Sequence, residues 1–325
     1  MNPMTSWNDA LSAVEQDDHG KWDIEKDARS IRMNDEGSLV LNDSGESYPV
    51  RMSDFALTQL CGKLNLPARY IKRIPPALQS RCVNNDLAKA AEEDRRFLVR
   101  CRGDIARAFL SSKYSRVDNI EFLKIFEKLS RGFQHQVRSF SLSESGMWMK
   151  ILVDDLRTWD PSDTANELKI GLVVGNSEIG IRRITLESFI YRKACCNDAV
   201  FQSDGALDVR HIHLNHRELR GRIAEAMNTA LKNGDEVLDS FVRSYEQPIA
   251  DPAALIQRLA EKRGMSKELT DSVQLAYQVE PMKNKYGLVN AFSRAAQTLE
   301  ADDRVEMERY AGSLLVEPEA NRLAA

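Results

Sequence analysis

Apolar and polar positions follow two different periods along this chain, and the change of period separates strands from helices. Between residues 22 and 50, stretches such as SLVLN and SYPVRM alternate every second residue and are broken by glycine turns, which is typical of β-hairpins. Between residues 53 and 93 the apolar positions recur three and four apart, which predicts three helices, the second of them opened by Pro67 and closed by Pro75-Pro76.

From Arg96 the period returns to two, and the middle of the chain is predicted to be mostly sheet. No crossover helix separates most of the neighbouring strands, so the sheet is expected to be mainly antiparallel. Helix start signals then recur at Asn215, Asp251 and Ser266, with further helical periods from Tyr286 and Asp303. The pattern predicts an α+β fold, with a central, mainly antiparallel sheet backed by helices and a helical C-terminal third.

The distribution of charge divides the chain into segments. Residues 1–46 carry eleven acidic and four basic side chains and residues 297–325 carry seven and three, so the region between them holds +7 in a chain of net −4. The acidic ends either keep the chain soluble or cover a basic face of the middle. We predict an acidic N-terminal arm with hairpins over 1–46, an α+β core with a basic sheet face over 47–234, and a helical region over 235–325.

Composition limits the class of protein. Hydrophobic residues make up 42% and charged residues 29% of the chain, as in ordinary globular proteins. No apolar run approaches the roughly 20 residues that span a bilayer, and the N-terminus lacks a signal-peptide pattern. Five cysteines form no C-x-x-C pair, which argues against a disulfide framework or a zinc ribbon. We therefore expect a cytoplasmic protein with no membrane partner.

A first basic cluster lies between residues 95 and 116, where arginines and a lysine are interleaved with aromatic residues. Strand alternation places Arg96, Arg100 and Arg102 on one face of a sheet. Such a face can follow phosphates and stack on bases, although a solvated sheet face is the alternative. The predicted nucleic-acid contacts in this cluster are Arg100, Arg102, Arg107, Lys113, Tyr114 and Arg116.

A second cluster surrounds the sequence GNSEIG at residues 175–180. Its two glycines allow a tight turn whose backbone N–H groups can cradle an anion, although a simple hairpin turn is the alternative. The segment fits neither a Walker motif nor a dinucleotide fingerprint, because no helix follows it. Basic residues beyond the turn extend the predicted track, which here comprises Asn176, Arg182, Arg183, Arg192 and Lys193.

A third cluster runs from Arg210 through His211 and His213 to Arg217. If this segment is a strand, the two histidines share a face and could bind a transition metal, with His216 or a thiol of the adjacent cysteine pair as a further ligand. The preferred interpretation is phosphate contact by Arg210, His211 and Arg217 near a helix N-terminus, with a structural role for His211 as the alternative.

Several segments together resemble the phage and plasmid proteins grouped as domain-of-unknown-function family 932. They include FALTQLCGKLNLPARYIKRIP, RAFLSSKYSRVDN, RKACCNDAVF, RHIHLNH and YGLVNAFSRAAQTLE, and the resemblance covers about residues 48–315. It implies a mobile-element setting and no established activity or cofactor. Asp198 stands where relatives usually have glycine, which alters the turn after Asn197. The expected architecture is also similar to that of phage single-strand annealing proteins, which is an analogy of fold alone.

Taken together, the sequence predicts a non-enzymatic, nucleic-acid-binding protein of a phage or plasmid that binds or anneals single-stranded DNA, without a cofactor or metal. A homo-oligomer is expected, because annealing needs a long continuous groove. No G-x-S-x-G elbow and no cysteine in a recognisable catalytic context support nucleophilic chemistry. One alternative is a host-protein-binding or counter-defence factor that acts through protein–protein contacts. The other is a metal-dependent enzyme centred on His211 and His213.

Overall fold

The structure is a computed structural model that describes residues 2–3, 6–43, 45–153, 168–193, 197–201 and 206–316. The helices of these ranges are α1 (Trp7–Asp18), α2 (Asp54–Lys63), α3 (Ala68–Ile71), α4 (Pro76–Glu92), α5 (Asn119–Ser130), α6 (His216–Lys232), α7 (Gly234–Arg243), α8 (Pro252–Arg263), α9 (Lys267–Val279), α10 (Lys285–Ala295) and α11 (Ala301–Val316). The α+β prediction and the helical C-terminal third are confirmed, with α6 to α11 following residue 216.

The strands form two sheets instead of the single central one expected. They are β1 (Asn2–Pro3), β2 (Lys21–Asp27), β3 (Ile31–Met33), β4 (Leu39–Asp43), β5 (Glu46–Met52), β6 (Arg96–Arg102), β7 (Ile105–Ser111), β8 (His135–Ser143), β9 (Gly146–Val153), β10 (Leu168–Asn176), β11 (Ile184–Arg192), β12 (Asn197–Phe201) and β13 (Leu207–Val209). No helix of the described ranges is long and apolar enough to cross a membrane.

The larger sheet is antiparallel and runs in the order β1-β8-β9-β10-β11-β12, with β13 beside β11. Helices α1, α5 and α6 pack on one of its faces, where Met149 and Leu172 meet Phe122 and Ile223. Helix α11 packs on the opposite face through Val305. The segment GNSEIG begins at the end of β10 and leads into the turn between β10 and β11, so the hairpin interpretation of this segment is correct.

The smaller sheet runs in the order β2-β6-β7-β5-β4-β3. It is antiparallel except for β5 and β7, which pair in parallel. Helices α2 and α4 cover one face of it, where Leu60 and Leu87 pack against Val99 and Phe109. Because β2 pairs with β6, the strands before residue 46 and those after residue 96 belong to one sheet.

Two helices were not predicted from the sequence pattern. The predicted acidic N-terminal arm contains a helix that was not expected, since Ser6 and Asp9 form a reciprocal capping box that opens α1, and Ala10 and Val14 are buried. Helix α6 ends at Lys232, and α7 begins at Gly234 directly after its cap residue Asn233, without a side-chain capping hydrogen bond that could have predicted it. Packing of apolar faces against the larger sheet stabilises both helices, and propensity alone does not reveal it.

Candidate functional site

An open cleft of about 570 Å³ lies where the two sheets meet. Its walls come from four separate segments: the last turn of α2, the end of β7, the turn between β10 and β11, and the residues after β13. The lining residues are Gln59, Gly62, Lys63, Leu110, Ser111, Tyr114, Gly180, Ile181, Arg182, Arg183, Arg210, His211 and Ile212. The cleft therefore depends on the packing of distant parts of the chain.

Apolar contacts and hydrogen bonds fix the turn between β10 and β11 against the smaller sheet. Ile179 packs into a small apolar cluster with Leu110 and the partly buried Tyr114. Gln59 donates from Nε2 to the backbone oxygen of Ile179 at 2.8 Å, while its Oε1 accepts from the N–H of Phe109 at 2.9 Å. The Tyr114 hydroxyl donates to the Ser177 oxygen at 2.9 Å. These bonds hold both sides of the cleft in place.

A short backbone pairing brings the third sequence cluster to the cleft. The N–H of Ser115 donates to the oxygen of His211 at 3.0 Å, and the N–H of His213 donates to the oxygen of Lys113 at 3.2 Å. Residues 210–213 lie after β13 and are not part of a strand, and His213 has a φ of 52°. The expectation that His211 and His213 share one face of a strand is therefore wrong.

The cleft is lined by four cationic side chains, and its lining within the described chain contains no carboxylate. Arg182 pairs with Asp302, and Arg183 Nη1 lies 2.5 Å from Asp208 Oδ2, so these two arginines are partly neutralised from outside the cleft. Lys63 and Arg210 have no ion pair with any described residue. A concave surface with this excess of positive charge attracts anions.

Two stacked rings form part of the cleft wall. Tyr114 and His211 are parallel to within 3°, with ring centroids 4.9 Å apart. His211 is almost fully buried, and its Nδ1 lies 3.3 Å from the oxygen of Ser115. Burial lowers the pKa of His211 to about 4, so the imidazole is neutral at neutral pH. Burial also raises the pKa of the Tyr114 phenol, which stays protonated.

The basic sheet face predicted from the first cluster is not a free surface. Arg100 is 3% exposed, with its Nε 2.9 Å from Asp23 Oδ1, its Nη1 2.8 Å from the backbone oxygen of Glu178, and a further pair to Asp118. The prediction was wrong here because the partners come from three separate segments: Asp23 from β2 of the same sheet, Asp118 from the residue before α5, and Glu178 from the turn between β10 and β11. Arg100 is therefore a structural residue at the junction of the two sheets.

Arg107 and Arg102 belong to the same ion-pair network, in which Arg107 is buried and Arg102 is partly exposed. Glu178 accepts from Lys21 Nζ at 2.7 Å and from both terminal nitrogens of Arg107 at 3.2 Å. Burial on its own raises the pKa of Glu178, but the Lys21 and Arg107 charges lower it below its usual range. Arg102 donates from Nη2 to the backbone oxygen of Asp17 at 2.8 Å and from Nη1 to Glu144 Oε1 at 3.1 Å. Neither arginine offers a free guanidinium to a phosphate.

The remaining predicted residues fall into two groups. Asn176 and Arg192 are buried: Asn176 Nδ2 donates to the Val117 oxygen at 3.0 Å, and Arg192 forms two hydrogen bonds with the Glu280 carboxylate at 2.6 and 2.5 Å. Their predicted contact with nucleic acid was therefore wrong, since both hold the fold together. The others are exposed but do not line the cleft, namely Lys113, Arg116, Lys193 and Arg217.

Lys63 is the cleft cation that the sequence pattern missed. It lies in the last turn of α2, where a basic residue is ordinary because it complements the helix dipole. Nothing in the local sequence indicates that this turn meets Arg210 across the cleft. Only the packing of α2 against β7 and the β10–β11 turn reveals it.

The part of the chain that the structure describes contains no evident metal site at or beyond the cleft. The described ranges hold no group of three or more His, Cys, Asp or Glu side chains placed to bind a metal ion, and the Cys195–Cys196 pair lies outside them. Comparison with protein-family models, with curated proteins and with solved structures finds no match.

Proposed function

We propose that the cleft binds the sugar–phosphate backbone of a single-stranded nucleic acid, and that the protein acts by binding and not by bond chemistry. The observation that carries this proposal is the set of Lys63, Arg182, Arg183 and Arg210 around one concave surface without a lining carboxylate among the described residues. Lysine and arginine are the side chains that neutralise phosphates, and arginine can do so with two parallel hydrogen bonds.

Two apolar side chains at the cleft favour a single strand over a duplex. Ile181 and Ile212 line the cleft and are 44% and 50% exposed. An unpaired base offers an apolar face to such side chains, whereas a duplex keeps its base faces stacked inside. Cations next to exposed apolar groups therefore suit a strand whose bases are free.

The biological setting is part of the same proposal. The resemblance of the sequence to family 932 supports a protein of a phage or plasmid, and the absence of a signal-peptide pattern and of a long apolar run in the sequence supports a cytoplasmic location. If the protein anneals strands, it would do so as a homo-oligomer, because one cleft holds only a few nucleotides.

Charge removal at the cleft tests the proposal. We expect the double variant Lys63→Gln/Arg210→Gln to bind a labelled single-stranded oligonucleotide about 10- to 100-fold more weakly in fluorescence anisotropy, since two charged hydrogen bonds are lost. The matched control is Lys124→Gln/Lys128→Gln, which removes two exposed charges of α5 outside the cleft. Equal weakening by both double variants would contradict binding at this cleft.

A protein–protein contact is a second candidate, favoured by one observation on α9. Leu275 and Val279 lie one turn apart and are 62% and 66% exposed. Such a patch on a helix surface suits association with a second copy of the chain about a two-fold axis. Sedimentation or light scattering should show an oligomer that Leu275→Glu/Val279→Glu dissociates, and a monomer at all concentrations would remove this candidate.

A further inference from the structure

His211 brings a hydrogen-bonding atom to the cleft that no described residue satisfies. His211 is one of the residues that line the cleft and is 3% exposed, and its Nε2 is buried without a hydrogen-bond partner among the described residues. Leaving a buried polar atom without a partner is unfavourable, because the atom has lost its hydrogen bonds to water and gained none in return. Such an atom in a ligand cleft indicates a contact that a ligand completes.

The hydrogen bond at the other ring nitrogen determines what Nε2 can do. Nδ1 lies 3.3 Å from the backbone oxygen of Ser115, and a carbonyl oxygen can only accept. Nδ1 therefore carries the proton, and the neutral ring leaves a lone pair on Nε2. Burial, to which the Arg100 charge adds, lowers the pKa of His211 to about 4 and keeps the ring in this form at neutral pH. Nε2 is thus an acceptor.

An acceptor cannot bind phosphate, because a phosphodiester has no proton to donate. The sequence-based role of His211 as a phosphate contact is therefore inconsistent with its surroundings. Its acceptor instead needs an N–H or O–H group, while Lys63 and Arg210 in the same cleft need an anion. A nucleotide unit carries both kinds of group.

We propose that His211 Nε2 accepts a hydrogen bond from an uncharged N–H or O–H donor on the nucleoside whose phosphates Lys63 and Arg210 bind. This inference rests on the proposed function and adds a contact that distinguishes a nucleotide from a bare phosphate chain. The donor is either the ribose 2′-hydroxyl or an N–H group on a base edge. Tyr114, stacked on the imidazole, holds the ring in position as a positioning residue.

Two variants separate the acceptor from the rest of the ring. In His211→Asn the side-chain amide stands near the former Nδ1, so it can still donate to Ser115 while the acceptor is lost. In His211→Gln the amide reaches the former Nε2 position and can restore an acceptor. Thermal unfolding of both variants checks that each is folded before binding is compared.

Three labelled strands of equal length serve as probes in anisotropy: mixed-sequence DNA, RNA of the same sequence, and an abasic deoxyribose–phosphate strand. We expect His211→Asn to weaken binding of a nucleoside-bearing strand about 5- to 30-fold, to leave the abasic strand unchanged, and His211→Gln to recover part of the loss. A loss confined to RNA identifies the 2′-hydroxyl, and a loss on both DNA and RNA identifies a base.

Failure of this inference differs from failure of the proposed function. If His211→Asn binds DNA and RNA like the wild type while Lys63→Gln/Arg210→Gln binds them weakly, the His211 contact is refuted and the cleft remains. Equal weakening on the abasic strand would also refute it, because His211 would then act only through the fold. If the wild type binds none of the three strands, the proposed function fails and the inference fails with it.

Discussion

At the residue scale, Lys150 shows how far this fold depends on buried charge. Its Nζ lies 2.6 Å from Asp198 Oδ2 and 2.5 Å from Glu308 Oε2, and all three side chains are fully buried. Burial, which outweighs the Lys150 charge, raises the pKa of Glu308. Asp198 lies in β12 and is not among the residues with a positive φ, so it pairs with Lys150 from within a strand and does not form the turn expected after Asn197.

Removing the lysine should therefore be costly. We expect Lys150→Met to lower the free energy of unfolding by about 3–5 kcal/mol, because two buried carboxylates lose their nearest cation and, of the described residues, only Arg304, whose Nε lies 3.0 Å from Glu308 Oε1, remains in close contact with the cluster. The exposed change Lys124→Met should stay within about 0.5 kcal/mol of the wild type. Urea denaturation measures both, and a similarly small effect of the two substitutions would show that the buried cluster is not stabilised by its lysine.

His211 should make stability depend on pH in a defined window. The folded pKa of about 4 lies below the unfolded value of 6.5, so the unfolded chain takes up the proton first as the pH falls. Stability from this group is complete above about pH 6.5 and declines towards pH 4, by about 3 kcal/mol in total.

The difference between wild type and His211→Asn isolates this contribution, since the carboxylates titrate in both proteins. We expect the stability of the wild type, measured by denaturant melts at each pH, to fall more steeply between pH 6.5 and 4 than that of His211→Asn. Parallel pH profiles would mean that the imidazole is not buried in the neutral form.

At the scale of single elements, the contact between α11 and β12 depends on a glycine. A Cβ atom built on Gly312 would lie 1.9 Å from the backbone oxygen of Val200, which is far inside van der Waals contact. We expect Gly312→Ala to push α11 away from the sheet and to destabilise the protein by about 1–3 kcal/mol. Gly221→Ala in α6 meets no atom within 4 Å, so it should stabilise by about 0.5–1 kcal/mol.

Thermal unfolding compares these two glycine substitutions directly. A lower melting temperature for Gly312→Ala and a higher one for Gly221→Ala would agree with the tight approach of α11. Two changes of the same sign would contradict it.

A comparison of the individual helices and strands with the sequence pattern shows which elements a sequence can predict. Helices with a local start signal were predicted correctly, since Ser53, Asn215, Asp251 and Ser266 each cap a helix through their own side chain. The pairing of strands from distant segments could not be predicted from the sequence pattern. In particular, β2 was expected to form a hairpin but pairs with β6, because a long-range partner covers its edge.

At the scale of the whole molecule, the sequence located part of the site. Tyr114, Arg182, Arg183, Arg210 and His211 were predicted and do line one cleft. Other arginines were predicted to contact nucleic acid but form ion pairs within the protein, because their carboxylate partners come from distant segments. Local alternation predicts which side chains share a face, but not what that face will pack against.

The acidic ends of the chain contact the basic middle. Asp17 pairs with Arg102, Asp23 with Arg100, and Asp302 of α11 with the cleft residue Arg182. These contacts agree with the interpretation that the ends cover basic side chains, which the charge distribution had left open. The ion pair between Asp302 and Arg182 lies at the edge of the proposed binding surface.

Removing the negative charge of Asp302 should strengthen the binding of single-stranded nucleic acid. We expect Asp302→Asn to tighten binding of a single strand about two- to fivefold, because the Arg182 charge is no longer compensated. Asp303→Asn changes the net charge equally at an exposed neighbouring position and serves as the control. If both aspartate changes tighten binding to the same extent, only net charge matters and Arg182 has no special place.

The most direct test of the central claim is the salt dependence of single-strand affinity for the wild type and for Lys63→Gln/Arg210→Gln. Each phosphate contact contributes about −0.7 to the slope of log affinity against log salt, so two to four contacts predict a slope of about −1.4 to −2.8. The double variant should be shallower by about 1.4. A wild-type affinity that does not change with salt, or an unchanged slope in the double variant, would contradict a phosphate-binding cleft.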